Sequence, residues 1–153
     1  RLNKPIGVML LFWPCLWGLT LALNQTKEFG EFIKYIILFF VGSVLMRSAG
    51  CIFNDIVDKD FDKKVDRTKN RPIPSGRIST QESFVYIILL CFIALIILIQ
   101  FNFLTIVLGL LSLPFVFSYP FMKRITYWPQ LFLGLTFNWG ILMAWAALIG
   151  EIS

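Results

Sequence analysis

The sequence predicts an all-α integral membrane helical bundle, and its composition is the first reason. The chain has 153 residues, of which 58% are hydrophobic and only 15% are charged, and its mean hydropathy is +0.76. So few charged side chains cannot coat a water-soluble domain of this length, whereas a surface that faces lipid needs no polar coat. We therefore expect a single membrane domain over residues 1–153, in contact with the lipid bilayer.

Five apolar segments are the second reason, because each approaches the ~20 residues that a helix needs to cross ~30 Å of hydrocarbon. In chain order they are residues 6–23, 35–57, 84–100, 103–122 and 127–149. Pro14 and Pro114 lie inside these segments, which a membrane bundle tolerates because neighbouring helices satisfy the freed carbonyls. The connection between the third and fourth segments, at Gln100, Phe101 and Asn102, is short and polar, so we expect a tight antiparallel hairpin there.

Cysteine and histidine usage excludes several site chemistries. Cys15, Cys51 and Cys91 are widely spaced within apolar segments, a pattern typical of packing residues rather than of a disulfide framework or a zinc site. The chain contains no histidine, so a histidine base and a histidine-ligated metal are both excluded.

The basic residues predict how the bundle is oriented. Eleven of the 14 fall on one side of the five-segment map: Arg1, Lys4, Lys59, Lys63, Lys64, Arg67, Lys69, Arg71, Arg77, Lys123 and Arg124. The positive-inside rule therefore places the N-terminus and the acidic loop, residues 54–80, in the cytoplasm. We expect no nucleic-acid partner. Asn138, inside the last segment, is expected to form a hydrogen bond between helices.

An acidic run closes the second segment. Asn54 is followed by Asp55, Asp58, Asp60 and Asp62, although acids beside a bilayer are costly and usually mark an ion, a cation-bridged substrate or a proton path. On a helix, residues 54, 58 and 62 share one face. Hard oxygen ligands without sulfur or imidazole suit Mg²⁺, which commonly bridges to phosphate oxygens.

Three functional interpretations of this run compete. An EF-hand fails, because Lys63 stands where the loop needs glycine and Lys69 where it needs glutamate. A membrane transporter of cations or phosphate compounds would use intramembrane carboxylates but has no need of the basic loop that follows. Binding of Mg²⁺ together with a phosphorylated substrate accounts for both the acidic run and the basic loop, since carboxylates hold the ion and basic residues neutralise phosphate oxygens.

Two motifs then resemble a known family. The stretches RSAGCIFNDIVDKDFD (residues 47–62) and RTKNRPIPSGR (residues 67–77) closely resemble the first signature of the UbiA family of intramembrane prenyltransferases. Residues 1–7, 119–124 and 129–130 agree in order and spacing with it. These outer segments are most similar to the branch that prenylates 4-hydroxybenzoate in ubiquinone biosynthesis.

The resemblance implies a larger fold of about nine helices around a cavity open to the cytoplasm and to lipid. It implies that a polyprenyl diphosphate lies in this cavity with its diphosphate on Mg²⁺, and that 4-hydroxybenzoate is the acceptor. Its implied metal site comprises Asn54, Asp55, Asp58 and Asp62, of which Asn54, Asp58 and Asp62 are also the implied catalytic residues.

The remaining roles are assigned to basic and aromatic residues. For the diphosphate we predict Lys69, Arg71, Tyr119 and Lys123. For the benzoate carboxylate we predict Arg47 or Arg124, since a lone arginine inside a membrane segment is a functional candidate by default. Haem, dihydroxynaphthoate and homogentisate, the acceptors of related family members, remain open alternatives.

The sequence departs from the family in one respect. No aspartate follows Asp66, whereas family members carry a second aspartate motif in a later cytoplasmic loop. We therefore expect these residues to be the N-terminal part of a longer enzyme, and to be inactive alone. The expected location is the bacterial inner membrane, or the mitochondrial inner membrane in a eukaryote.

Overall fold

The computed structural model describes residues 5–151, except for the side chains of Lys123 and Arg124. All regular secondary structure in this part of the chain is helical. The helices are α1 (Ile6–Thr26), α2 (Phe29–Val57), α3 (Lys59–Asp62), α4 (Thr80–Leu98), α5 (Phe103–Ile125) and α6 (Pro129–Ile149). All but α3 are long and apolar enough to cross a membrane. The predicted bundle of five membrane helices is thus confirmed, and the chain is an integral membrane protein.

The helix ends follow local capping rather than hydropathy. α4 begins at Thr80 because Ser79 and Glu82 form a capping box, in which Ser79 Oγ accepts from the Glu82 amide at 3.1 Å and Glu82 Oε2 accepts from the Ser79 amide at 2.8 Å. α1 ends where Lys27 adopts a left-handed conformation with φ of 57° and its amide donates to the Leu23 carbonyl. α4 therefore begins before its apolar segment, and α1 ends after its own.

Close packing of α1 against α6 forms the centre of the bundle. A Cβ on Gly18 would lie 2.5 Å from the Ile141 carbonyl oxygen, and one on Gly140 would lie 2.6 Å from Cys15 Sγ. Small residues let membrane helices approach in this way. The surrounding buried cluster combines residues of α1, α2, α6 and the α4–α5 connection: Phe12, Cys15, Leu19, Tyr35, Phe39, Phe101, Ala144 and Ala147.

The connection between α4 and α5 is short, as predicted, but the two helices do not pack closely along their length. α4 packs mainly against α2, and α5 against α6. Phe101 is buried between the rings of Tyr35 and Phe39, at centroid distances of 5.0 and 4.8 Å. Asn102 caps α5 by accepting from the Thr105 amide at 2.9 Å. The two helices instead diverge around an apolar cavity that both of them line.

Candidate functional site

The acidic run lies where α2 stops, and the helix is interrupted within it. α2 ends at Val57, Asp58 has φ of −90° and ψ of 6°, and α3 starts at Lys59. Across the break, Asn54 Nδ2 donates to Asp58 Oδ2 at 3.1 Å, which preserves the predicted contact between residues four apart. The backbone amides of Asp58 and Asp62 still donate to the carbonyls of Asn54 and Asp58, at 2.9 and 2.8 Å, so the spacing of four residues is kept across the interruption.

That partner is Arg71, which bridges two of the predicted metal ligands. Its Nη1 lies 3.1 Å from Asp55 Oδ1 and 2.8 Å from Asp62 Oδ2. The Arg71 side chain is 27% exposed, and those of Asp55 and Asp62 are 11% and 14% exposed, so these two ion pairs are largely shielded from water. We call Asp55 and Asp62 the acid pair. Their oxygens converge on one cationic nitrogen, although seven residues along a continuous helix correspond to about 10 Å of rise.

The loop after α3 folds back on the acidic run and thereby positions Arg71. Buried Thr68 donates from Oγ1 to the Asp62 carbonyl at 2.9 Å. Ile73 is also buried, and Lys59 Nζ donates to Thr80 Oγ1 at 3.1 Å, which joins α3 to the start of α4. The loop is therefore an ordered cap on the end of α2, and the side chain of Arg71 is aimed at the acid pair.

The donor set is compatible with a hard divalent cation. The acid pair already holds a positive charge between two carboxylate oxygens, and Asn54 with Asp58 supplies further oxygens on the same segment. Mg²⁺ typically takes only one or two carboxylates from the protein and completes its shell with water and phosphate. Within the described residues, no three Asp, Glu or Cys side chains are grouped closely enough to hold a metal by themselves.

A cavity of about 340 Å³, which we call the Arg47 cavity, lies between α1, α2, α5 and α6; its lining is largely apolar and includes Asn54 of the acidic run. Arg47, Asn54 and Tyr119 all line it. No carboxylate in the described part of the chain pairs with Arg47. Its guanidinium instead packs against Gly7 of α1, where an added Cβ would overlap it. An arginine in this setting can receive an anion that enters the cavity.

A second, apolar cavity of about 490 Å³ adjoins the first. The two share four lining residues, namely Leu11, Met46, Val116 and Thr136. The second cavity is lined mainly by aliphatic and aromatic side chains from the five long helices. Trp139 is among them, and its Nε1 donates to the Leu108 carbonyl at 2.9 Å, so the indole offers an apolar face without an unsatisfied donor.

The other predicted site residues lie apart from the acid pair or cannot be located. Lys69 pairs with Asp66 at 2.7 Å, with side chains 52% and 97% exposed. Lys123 and Arg124 belong to α5, but their side chains lie outside the described residues. The expectation for Asn138 is wrong, because its amide donates to the Gly134 carbonyl of its own helix at 2.9 Å.

Two contributors to the site were not predicted. Gly7 supports Arg47, and Thr136 lines the junction of the two cavities. The glycine lies in a stretch that resembles the family, but nothing in the sequence pairs it with Arg47, which is forty residues away. Thr136 carries no sequence signal at all, because a single threonine in an apolar helix is unremarkable.

Comparison with known proteins now identifies the class. The UbiA prenyltransferase family matches residues 11–153, and the chain belongs to this family. The structure also resembles the apo structure of a UbiA homolog from Aeropyrum pernix K1, with a TM-score of 0.79 at 23% identity over 98% of this chain and 53% of that one. This likeness supports the fold.

Curated relatives are more similar in sequence. The mitochondrial 4-hydroxybenzoate polyprenyltransferase of Homo sapiens is 52% identical over 153 residues, covering 99% of this chain and 40% of the relative. The corresponding Arabidopsis thaliana protein is 50% identical, covering 100% and 37%. The 4-hydroxybenzoate octaprenyltransferase of Vibrio atlanticus (strain LGP32) is 46% identical, covering 99% and 52%. The chain thus spans between about two fifths and one half of these relatives.

Proposed function

We propose that this protein transfers a polyprenyl group from polyprenyl diphosphate to the ring carbon ortho to the hydroxyl of 4-hydroxybenzoate, releasing diphosphate, in ubiquinone biosynthesis. The observation that carries the proposal is that the Arg47 cavity, which Asn54 of the acidic run also lines, shares four lining residues with a larger apolar cavity. The names of relatives that are 46–52% identical over nearly the whole chain support the same reaction.

The donor half of the site comprises Asn54, Asp55, Asp58, Asp62 and Arg71. Bound Mg²⁺ would neutralise the diphosphate and favour its departure as the allylic carbon–oxygen bond breaks. The carboxylates and the Asn54 amide oxygen would hold the cation, and Arg71 would add donors for phosphate oxygens. We assign Lys69 and Lys123 to the diphosphate only as secondary contacts, since Lys69 pairs with an exposed acid.

The acceptor half is the Arg47 cavity. The Arg47 guanidinium would bind the benzoate carboxylate by a charge-assisted hydrogen bond, with Arg124 as the alternative for this role. Tyr119 lines the same cavity and can hydrogen-bond either a diphosphate or a benzoate oxygen. Asn54 lines this cavity too, so an acceptor bound at Arg47 would adjoin the donor half of the site.

The apolar cavity suits the prenyl chain and keeps the reaction dry. Its aliphatic and aromatic lining would exclude water, which would otherwise quench the allylic cation. Aromatic side chains near the cation would stabilise it through their ring faces. The side chain of Trp139 is available for this role because its N–H is already hydrogen-bonded.

The direct test is prenyl transfer by the purified full-length protein in detergent, with Mg²⁺ and a polyprenyl diphosphate. The product expected with 4-hydroxybenzoate carries the chain ortho to the hydroxyl, as mass spectrometry and NMR would establish. Parallel reactions with dihydroxynaphthoate, homogentisate and haem test the other acceptors. Transport of a cation or phosphate compound into vesicles, with no prenylated product from any acceptor, would reject the proposal.

We also propose that the acidic loop faces the cytoplasm, or the matrix in a mitochondrion, and that residues 1–153 alone are inactive. The basic residues around the loop support the orientation. The absence of aspartate after Asp66 supports the inactivity, because half of the acids that the family uses are missing. Measurable Mg²⁺-dependent transfer by purified 1–153 would show that a second acidic motif is dispensable.

A further inference from the structure

We infer that Arg71 is a resident counter-ion of the acid pair, and that it must leave Asp55 and Asp62 before a divalent cation can bind there. The inference rests on the proposed function, because that proposal assigns the cation to the same carboxylates. One nitrogen of Arg71 contacts both carboxylates, at 3.1 and 2.8 Å, so it takes the position between them that a shared cation would need.

The burial of this group explains why a counter-ion is needed. Asp55 and Asp62 are 11% and 14% exposed, and two poorly hydrated carboxylates that converge would repel each other without a positive charge between them. Guanidinium stays charged at any physiological pH, so Arg71 permanently offsets one of the two negative charges of the pair. A cation that enters must therefore compete with Arg71 and not only with water.

Once displaced, Arg71 would bind the diphosphate of the substrate. A guanidinium displaced from the acid pair still carries five donors in a planar fork, which matches phosphate oxygens. Arg71 lies on an ordered loop fixed by Thr68 and Ile73, so its side chain can swing while its backbone stays in place. Diphosphate would hold Arg71 away from the carboxylates, and cation and diphosphate would each favour the binding of the other.

The test measures metal binding without any diphosphate. Mn²⁺ prefers the same oxygen ligands as Mg²⁺, and its free concentration is read directly from its EPR signal. We would titrate Mn²⁺ into the full-length protein in detergent, comparing wild type with Arg71→Gln and Arg71→Lys. Lys63→Gln is the matched control, because it removes one positive charge from the same loop and Lys63 pairs with exposed Asp60 rather than with the acid pair.

Arg71→Gln is expected to bind Mn²⁺ about fivefold or more tightly than wild type, which is a typical size for coupling between two ligands. Arg71→Lys should stay close to wild type, since it keeps the positive charge. Lys63→Gln should differ from wild type by no more than about twofold, because an exposed charge is well screened. Should Arg71→Gln fail to remain monodisperse, Arg71→Met repeats the comparison with the aliphatic stem retained.

Two other results would overturn the inference, and they differ in what they say about the proposed function. If wild type binds Mn²⁺ and removal of the arginine charge leaves its affinity unchanged or weaker, Arg71 is not a competitor, although the cation site stands. If neither wild type nor the variants without the charge bind Mn²⁺, both the counter-ion role and the proposed cation site are wrong.

Discussion

The guanidinium of Arg47 packs against Gly7, so α1 supports the arginine by which α2 lines the Arg47 cavity. An added Cβ at Gly7 would overlap Nε of Arg47 and crowd the rest of the guanidinium. Only glycine leaves this approach open. Since Arg47 has no carboxylate partner in the described part of the chain, the contact with Gly7 is what the structure offers to fix its direction.

Gly7→Ala is therefore expected to weaken the binding of 4-hydroxybenzoate without affecting the binding of the polyprenyl diphosphate. The methyl group would displace the Arg47 side chain, and we expect KM for 4-hydroxybenzoate to rise by roughly tenfold, as when one charged hydrogen bond is weakened. KM for the polyprenyl diphosphate should hardly change. Gly134→Ala is the control, because nothing lies within 4 Å of a Cβ there. Equal loss for both substrates would contradict the positioning role.

Arg47→Ala tests directly whether Arg47 binds the benzoate carboxylate. Loss of a charge-assisted hydrogen bond should lower kcat/KM for 4-hydroxybenzoate by roughly 10- to 100-fold, while kcat/KM for the prenyl diphosphate falls much less. Arg47→Lys should recover part of the loss, because the charge remains but the planar fork does not. Steady-state kinetics with each substrate varied in turn gives both values. If Arg47→Ala behaves as wild type, the carboxylate is bound by Arg124 instead.

The fold was predictable from sequence because lipid imposes length and composition on whole segments. Helix ends were not, since they depend on single side chains. α2 begins at Phe29, well before its apolar segment, and its polar first turns are supported by an ion pair of 3.2 Å between Glu31 and Lys34. The partner of Asn138 was not predictable either, because its amide donates to a carbonyl of its own helix rather than to a neighbouring helix.

The candidate site was predictable only where its contacts are local. Asn54 and Asp58 are four residues apart, and helical spacing brings them together as expected. Arg71 was predicted for phosphate, but its pairing with Asp55, sixteen residues earlier, depends on how the loop folds back. Spacing carries no information about such a contact. The resemblance to the family marked the residues, and the structure supplied their partners.

Asp58→Ala and Asp62→Ala are each expected to abolish Mg²⁺-dependent prenyl transfer while membrane insertion is unchanged, because both remove proposed cation ligands rather than packing. Asp60→Ala is the matched control from the same run, since Asp60 is 89% exposed and pairs with Lys63 at a distance of 3.8 Å. Its turnover should stay near that of wild type. Near-normal turnover of either Asp58→Ala or Asp62→Ala would remove that residue from the cation site.

Gly18→Ala should destabilise the bundle, because its Cβ would lie 2.5 Å from the backbone oxygen of Ile141 and that oxygen cannot rotate away. Overpacking of this kind typically costs about 1–3 kcal/mol. Gly30→Ala is the control, since nothing lies within 4 Å of a Cβ there and alanine favours the helix. Unfolding of both variants by SDS in mixed micelles, followed by circular dichroism, measures the difference. Equal stability would mean that α1 and α6 pack less closely than described.

Cysteine labelling tests the orientation of the bundle. The structure directs the choice of sites, because Phe101 is buried whereas Gln100 in the same connection and Ser75 in the acidic loop are exposed. Single cysteines at these two positions, in a variant with Cys15, Cys51 and Cys91 replaced by alanine, should react from opposite sides of the membrane. We expect Ser75→Cys to be shielded from an impermeant maleimide added outside intact bacterial cells, and Gln100→Cys to be labelled, because most of the basic residues surround Ser75. Labelling of both from the same side would require an even number of crossings between them, and the assignment of α4 as a single membrane-spanning helix would then be wrong.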